Sequence, residues 1–280
     1  MRRARLPHVA LLSLTSDALA GHSSVHESPV TPAACTPGSP SAALLIGVDD
    51  YASPEVPDLR QTGAEVALVA QALTRTASYP ERAVTVLRSQ GDAAHQPTTA
   101  NARAALDALA AGGPYGTVLV YVSGFADPSE GGLRFLTSDA APSSPASGGL
   151  DIGALTAALA ALPACHAALV LDAGPRAPRG VTATSLRLGL APGVPMLSSA
   201  RWDQIPLEAP ASSISFASLF AEGLEGPADL APRDGVMTLG ELLAYTEQGM
   251  AAAGIRHTPT LSCLDCGSSW PPVATARPGR

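Results

Sequence analysis

Two apolar runs end in the same way, and that ending constrains the chain most. Thr117-Val-Leu-Val-Tyr-Val-Ser-Gly-Phe-Ala126 and Ala168-Leu-Val-Leu-Asp-Ala-Gly-Pro-Arg176 are each continuous in hydrophobic residues and then stop at a turn of small residues. Short uninterrupted apolar runs bounded by turn residues read as strands buried on both faces. In an open parallel sheet, ligands and reactive groups gather where such strands end, at the carboxyl edge.

Further runs of this kind lie at Ala42–Val48, 83–87 and 194–197, with a last strand at Thr258–Leu261. Between them the apolar period changes to that of a helix. Val66, Val69, Ala70 and Leu73 mark a helix over about 62–74. Thr98 and Thr99 are good helix-start residues for a second, ending near Leu109. Asp151 is placed to cap a third, whose Ile152, Leu155, Leu159 and Leu162 form one stripe. Helices are also expected at 214–224 and 239–252, the latter opening on Thr238-Leu-Gly-Glu241, a capping-box pattern. Leu133–Leu136 reads as a small hairpin, and 174–193 as a mobile surface loop. Strand and helix alternating along the chain predict an α/β fold, a mainly parallel sheet with helices on both faces.

Residues 1–41 are expected to be a disordered leader and linker, 42–263 the folded domain, and 264–280 a flexible tail. The leader starts Met-Arg-Arg-Ala-Arg, continues into apolar Val9–Leu14 and reaches Ala18-Leu-Ala20, a weak signal-peptide pattern interrupted by Pro7, His8 and Asp17. A cytoplasmic location is expected, with secretion as the alternative. The net charge of -7 argues against a nucleic-acid partner. No stretch approaches the roughly 18 apolar residues of a membrane span.

All 17 basic residues are arginine. The absence of lysine excludes a phosphate-loop lysine, a Schiff-base lysine and a Ser-Lys dyad. Cys35, Cys165, Cys263 and Cys266 do not read as a disulfide framework in a chain this long. Cys263-Leu-Asp-Cys266 lacks the second ligand pair of a tetrahedral metal site, so no metal is expected and the two cysteines read as small strand-end residues. Asp234, Gly235 and Glu241 have the spacing of positions 5, 6 and 12 of a calcium loop. Leu230 and Pro232 would hold positions 1 and 3, so calcium is not expected. No cofactor is expected either.

Six blocks, in order, resemble the caspase/metacaspase family of cysteine peptidases (peptidase C14). Leu44-Leu-Ile-Gly-Val-Asp-Asp-Tyr51 is similar to the family's opening strand, and Leu59-Arg-Gln-Thr-Gly-Ala-Glu-Val-Ala-Leu-Val-Ala70 to its following helix. Phe216–Leu224 resembles F-T-x-A-L-x-x-G-L, and Asp234–Leu242 resembles D-G-x-V-T-L-x-E-L. The two apolar runs resemble the active-site segments, which in the family read Y-x-S-G-H-G and D-A-C-H-S-G. The resemblance covers roughly 43–262. It implies a caspase-like three-layer α/β/α sandwich with a six-stranded, mostly parallel sheet.

The resemblance also marks what is missing. Phe125 occupies the histidine position and Gly174 the cysteine position; Ala126 and Pro175 replace their neighbours. A thiol peptidase needs a thiolate, a proton acceptor and backbone donors for the oxyanion. Phe125 accepts no proton, Gly174 has no side chain, and Pro175 removes a backbone donor. In the best-studied protease triad, removing nucleophile and base costs about 10⁶ in rate. The chain is therefore expected to be a catalytically inactive binding or regulatory protein whose partner is a protein or peptide, such as an active caspase-like homologue. The alternatives are an Arg/Lys-directed endopeptidase using other residues and a secreted interaction protein.

Cys165-His166 is the tempting substitute pair, but it stands at the start of its strand, far from Gly174. His257 is a stray candidate base, and His95 reads as solvated. By the resemblance, Asp172 forms an acidic pocket for an Arg or Lys side chain; the plainer reading is that it orders the strand-end turn. Ser123, Ser198 and Ser199 are further candidates to line that cleft. Arg176, Arg179 and Arg187 are sites that an active relative would be able to cut.

Overall fold

The computed structural model describes residues 38–129, 132–141, 143, 148–175, 188–201, 204, 214–267 and 270–276. The expected leader, most of the 174–193 loop and its three arginines lie outside the described residues. In chain order the elements are β1 (Ala42–Gly47), α1 (Thr62–Arg75), β2 (Val84–Arg88), α2 (Thr99–Ala111), β3 (Tyr115–Ser129) and β4 (Gly132–Phe135). They continue with β5 (Leu150–Asp151), α3 (Ile152–Ala160), β6 (Ala164–Gly174), β7 (Met196–Ser198) and α4 (Phe216–Leu224). The last are β8 (Val236–Thr238), α5 (Leu239–Ala252), β9 (Thr260–Ser262) and β10 (Pro272–Thr275).

The main sheet has the strand order β2-β1-β3-β6-β7-β9. Its first five strands are parallel, and β9 closes the edge antiparallel to β7. Strand alternation sorts the side chains onto two faces. Leu44, Ile46, Val120, Val122, Leu169 and Leu171 pack with residues of α2 and α3. Leu45, Leu119, Tyr121 and Val170 pack with residues of α1, α4 and α5. The result is a three-layer α/β/α sandwich with a mostly parallel central sheet. The central strands are apolar without interruption because both faces are covered.

Helix starts explain much of the local register. Thr98 caps α2, Asp151 caps α3, and Thr238 with Glu241 forms the capping box of α5. The N-cap of α1, Gln61, makes no side-chain cap. Its work is done by Asp49, just beyond β1. That buried carboxylate accepts from Thr62 Oγ1 at 2.7 Å, the Gly63 amide at 3.1 Å and Gln90 Nε2 at 2.9 Å. β1 and α1 meet so closely that a Cβ at Gly47 would lie 2.6 Å from the Thr62 carbonyl oxygen. Near α2, Asp139 accepts from Thr137 and from Thr99. Burial works against its charge, but these hydrogen bonds prevail and hold its carboxyl below the usual range.

Three expectations need correction. The 264–280 segment is not a loose tail where it is described: β10 pairs antiparallel with β8, and Val273 and Ala274 are buried. Their burial follows from the apolar α1/α4/α5 layer, which they cover. The hairpin is larger than expected, because β3 runs past the main sheet to pair with β4, which pairs with β5. The cysteines do form disulfides: Cys263 bonds Cys266, and Cys165 is also disulfide-bonded. A separation of three residues lets a turn, with Asp265 at a φ of 57°, bring Cys263 and Cys266 together.

Candidate functional site

The two small-residue turns come together in the sheet. β3 and β6 pair with Ser123 opposite Asp172, Gly124 opposite Ala173 and Phe125 opposite Gly174. Neighbouring strands are about 4.8 Å apart, so the two positions that the resemblance assigns to the dyad stand side by side. Gly124 adopts a φ of 153°, and a Cβ there would lie 2.8 Å from Tyr51 Oη. This break in the strand turns Phe125 towards the α2/α3 layer, where its ring meets Tyr51 at 5.7 Å between centroids. Tyr51 Oη accepts the Phe125 amide at 3.0 Å. The tyrosine that ends the Leu44–Tyr51 block thus fixes the backbone at Phe125.

A cavity of about 760 Å³ opens at this edge. Ser123, Asp172 and Ser199 line it from the sheet, and Thr62 and Glu65 line it from α1. Leu59, Ile214, Phe216, Met250 and Ile255 supply an apolar wall. Arg256 and His257, just after α5, complete the lining.

Asp172 is the chemical centre of this cavity. Tyr121, on the same face of β3 as Ser123, donates its hydroxyl to Asp172 Oδ2 at 2.8 Å. Burial pushes the Asp172 carboxyl above the ordinary carboxylate range. The nearby Ser199 and Tyr121 hydroxyls and the charge of His257 only partly offset it. Tyr121 is in turn raised well above its ordinary value, first by burial and then by the charges of Asp172 and Glu65. Ser199 lies close enough to influence the carboxyl, yet its Oγ is fully enclosed and has no aligned hydrogen-bond partner. The site therefore presents a carboxylate held by the Tyr121 hydroxyl, with the enclosed Ser199 hydroxyl beside it.

The other candidates separate clearly. Ser198 does not share the cavity: its Oγ donates to the Ala200 carbonyl at 2.9 Å, because alternation along β7 turns it away from Ser199. His257 does share the cavity. It is the stray candidate base of the sequence, and the segment after α5 brings it to the site through the fold. Tyr121 was overlooked, although its parity with Ser123 in β3 was readable. Cys165 and His166 begin β6, about 30 Å along the strand from Gly174. Cys165 is disulfide-bonded, and burial lowers the His166 pKa. His95 pairs with Asp92 on the surface at 2.7 Å.

Among the described residues no cysteine carries a free thiol. Nor does any group of three metal-ligating side chains occur among them. In the calcium-like loop the carboxylates are taken by the chain's own donors. Glu241 accepts from the Leu230 and Thr238 amides and from Thr238 Oγ1, and Asp234 accepts from the Val236 amide. No described helix is long and apolar enough to cross a membrane. The arrangement offers a cation a carboxylate and offers a peptide bond no thiolate.

No family model matches the chain, and no curated protein matches its sequence. Its fold is similar to the crystal structure of protein GSU0716 from Geobacter sulfurreducens, a structural-genomics target. The TM-score is 0.54 at 14% identity, over 85% of this chain and 98% of that one. At this identity the likeness extends to the fold alone.

Proposed function

We propose that the chain is a caspase-like pseudopeptidase: a scaffold of that family that binds basic peptide segments in the β3/β6 cavity and does not cleave them. The observation that carries this reading is the pairing of Phe125 with Gly174 directly beside Ser123 and Asp172. Neither a thiol nor an imidazole stands at Phe125 or Gly174, while the Asp172 carboxylate next to them lines an open cavity. A carboxylate with burial on most sides is a strong site for a positively charged side chain, because the pair excludes water. The partner class is a protein with an exposed basic segment, and an active homologue of the same family is one such protein.

The test measures binding and cleavage together. Fluorescence anisotropy with short peptides carrying central Arg or Lys should show saturable binding, and Glu-centred peptides should show none. Reporter peptides ending in Arg or Lys should stay intact with the wild-type protein, with a Phe125→His plus Gly174→Cys variant run alongside. Clear wild-type cleavage overturns the inactive reading, and absence of binding to every basic peptide overturns the pocket.

The disulfides favour a location outside the reducing cytosol over the cytoplasmic expectation, since bridges of this kind persist in oxidising compartments. Maleimide added to intact producing cells is expected to leave Cys165, Cys263 and Cys266 unmodified until a reductant is supplied. Immediate modification of all three contradicts this location.

A further inference from the structure

The Cys263–Cys266 disulfide is joined to the cavity wall by one short strand. It closes a ring of four residues directly after β9. Its cysteines are half-buried and Leu264 and Asp265 between them are exposed, which leaves the ring open to a dissolved thiol. Within the ring, the Leu264 carbonyl accepts the Gly193 amide at 2.7 Å, and Leu264 also bridges Pro192. The ring thus pins the far end of β9 to the segment that leads into β7.

Little else holds β9. It is the edge of the main sheet and, among the described strands, pairs with β7 alone, over three half-buried residues. Just before its other end stand Ile255, Arg256 and His257, which line the cavity. Gln204 steadies this end: its side chain donates to the Arg256 carbonyl at 3.1 Å and accepts from the Thr258 amide at 2.8 Å. The cavity wall and the ring are therefore attached to the two ends of one lightly paired strand.

We infer that the ring is a redox latch on the cavity wall. With the disulfide closed, β9 stays on β7 and holds 255–257 in place; with it reduced, β9 frays and that wall loosens. This concerns the wall itself and holds whatever ligand the cavity takes. The reductant is a dithiol. Its thiolate attacks one Sγ to form a mixed disulfide, and its second thiol then closes on the first and expels that Sγ as a thiolate. Two electrons and two protons pass to Cys263 and Cys266, and the dithiol becomes a cyclic disulfide. The opened chain regains the freedom that the ring removed. Asp265 is no longer kept at a φ of 57°, a region that few residues other than glycine favour. Leu264 loses its fixed approach to Gly193, and a short edge pairing is where local opening begins.

Hydrogen exchange of the full, unliganded chain would be followed before and after dithiothreitol, beside a Cys263→Ser plus Cys266→Ser variant. Amides of 255–264 should exchange about tenfold faster after reduction, the scale of the chain entropy that so short a ring removes. Amides of β1 and β3 should be unchanged. The variant should show the fast rate with or without reductant, which separates this disulfide from that of Cys165. Faster exchange confined to 263–267 overturns the latch, and so does a variant that matches the oxidised wild type. Faster exchange throughout, β1 and β3 included, overturns it as well, since the bridge then supports the whole fold. A disulfide that survives dithiothreitol in the folded protein does the same.

Discussion

Asp172→Asn is expected to weaken basic-peptide binding about hundredfold, the scale of losing one member of a desolvated charge pair. The same substitution should make the unliganded protein more stable at neutral pH. The two effects share one cause. Burial raises the Asp172 pKa in the folded protein above its value in the unfolded chain. Folding therefore favours the protonated form. The contribution of Asp172 to stability is fully present below the unfolded value and is lost as pH rises through the folded one. Asparagine stays neutral throughout and still accepts from the Tyr121 hydroxyl. Thermal melts across pH 4 to 8 should accordingly show the variant gaining on the wild type as pH rises. A variant that loses stability across that whole range, or that binds Arg peptides like the wild type, would show Asp172 to be an ordinary turn residue. The binding site is thus expected to weaken the fold that carries it, a common relation between sites and scaffolds.

Asp49→Ala should destabilise the fold by about 3 kcal/mol, among the larger single-residue effects expected here. The residue is 3% exposed and, among the described residues, its side chain accepts from the first turn of α1 where the N-cap residue Gln61 does not. Removing it leaves the Thr62 hydroxyl, the Gly63 amide and the Gln90 amide without their shared acceptor. Buried donors without partners each carry a desolvation cost, and the positive end of the α1 dipole loses its counter-charge. Urea unfolding should show a lower midpoint at unchanged slope. Gln90→Leu removes one donor and leaves the carboxylate its other two, so it should cost only about 1 kcal/mol. Equal losses in the two variants would contradict this assignment. Because α1 carries Thr62 and Glu65 into the cavity wall, Asp49→Ala should weaken peptide binding as well.

The parts that were legible in the sequence are those set by local rules. Uninterrupted apolar runs located the central strands, and Thr98, Asp151 and Thr238 located helix starts through cap chemistry. The strand-end turns gave Phe125, Gly174, Asp172 and Ser123 together, because each is positioned by β3 or β6 alone. Contributions from distant segments were not legible. His257 enters the cavity from beyond α5, and β10 finds β8 across the whole of α5; neither shows in local periodicity. Ser198 and Ser199 look alike in sequence, and only the alternation of β7 separates the one that lines the cavity from the one bonded to Ala200. The disulfides were missed because pairing depends on backbone approach rather than on spacing.

The place of β10 in the chain has a consequence for how the protein is made. The Tyr79 hydroxyl donates to the Val273 carbonyl at 2.7 Å, across 194 residues of sequence. Val273 and Ala274 complete the layer that covers α1 and the sheet. While the chain is being synthesised or threaded through a translocon, that layer stays open until the last strand emerges. A nascent chain holding β1 through α5 leaves that apolar layer without its β10 cover, a state prone to association, until residue 275 is free to dock.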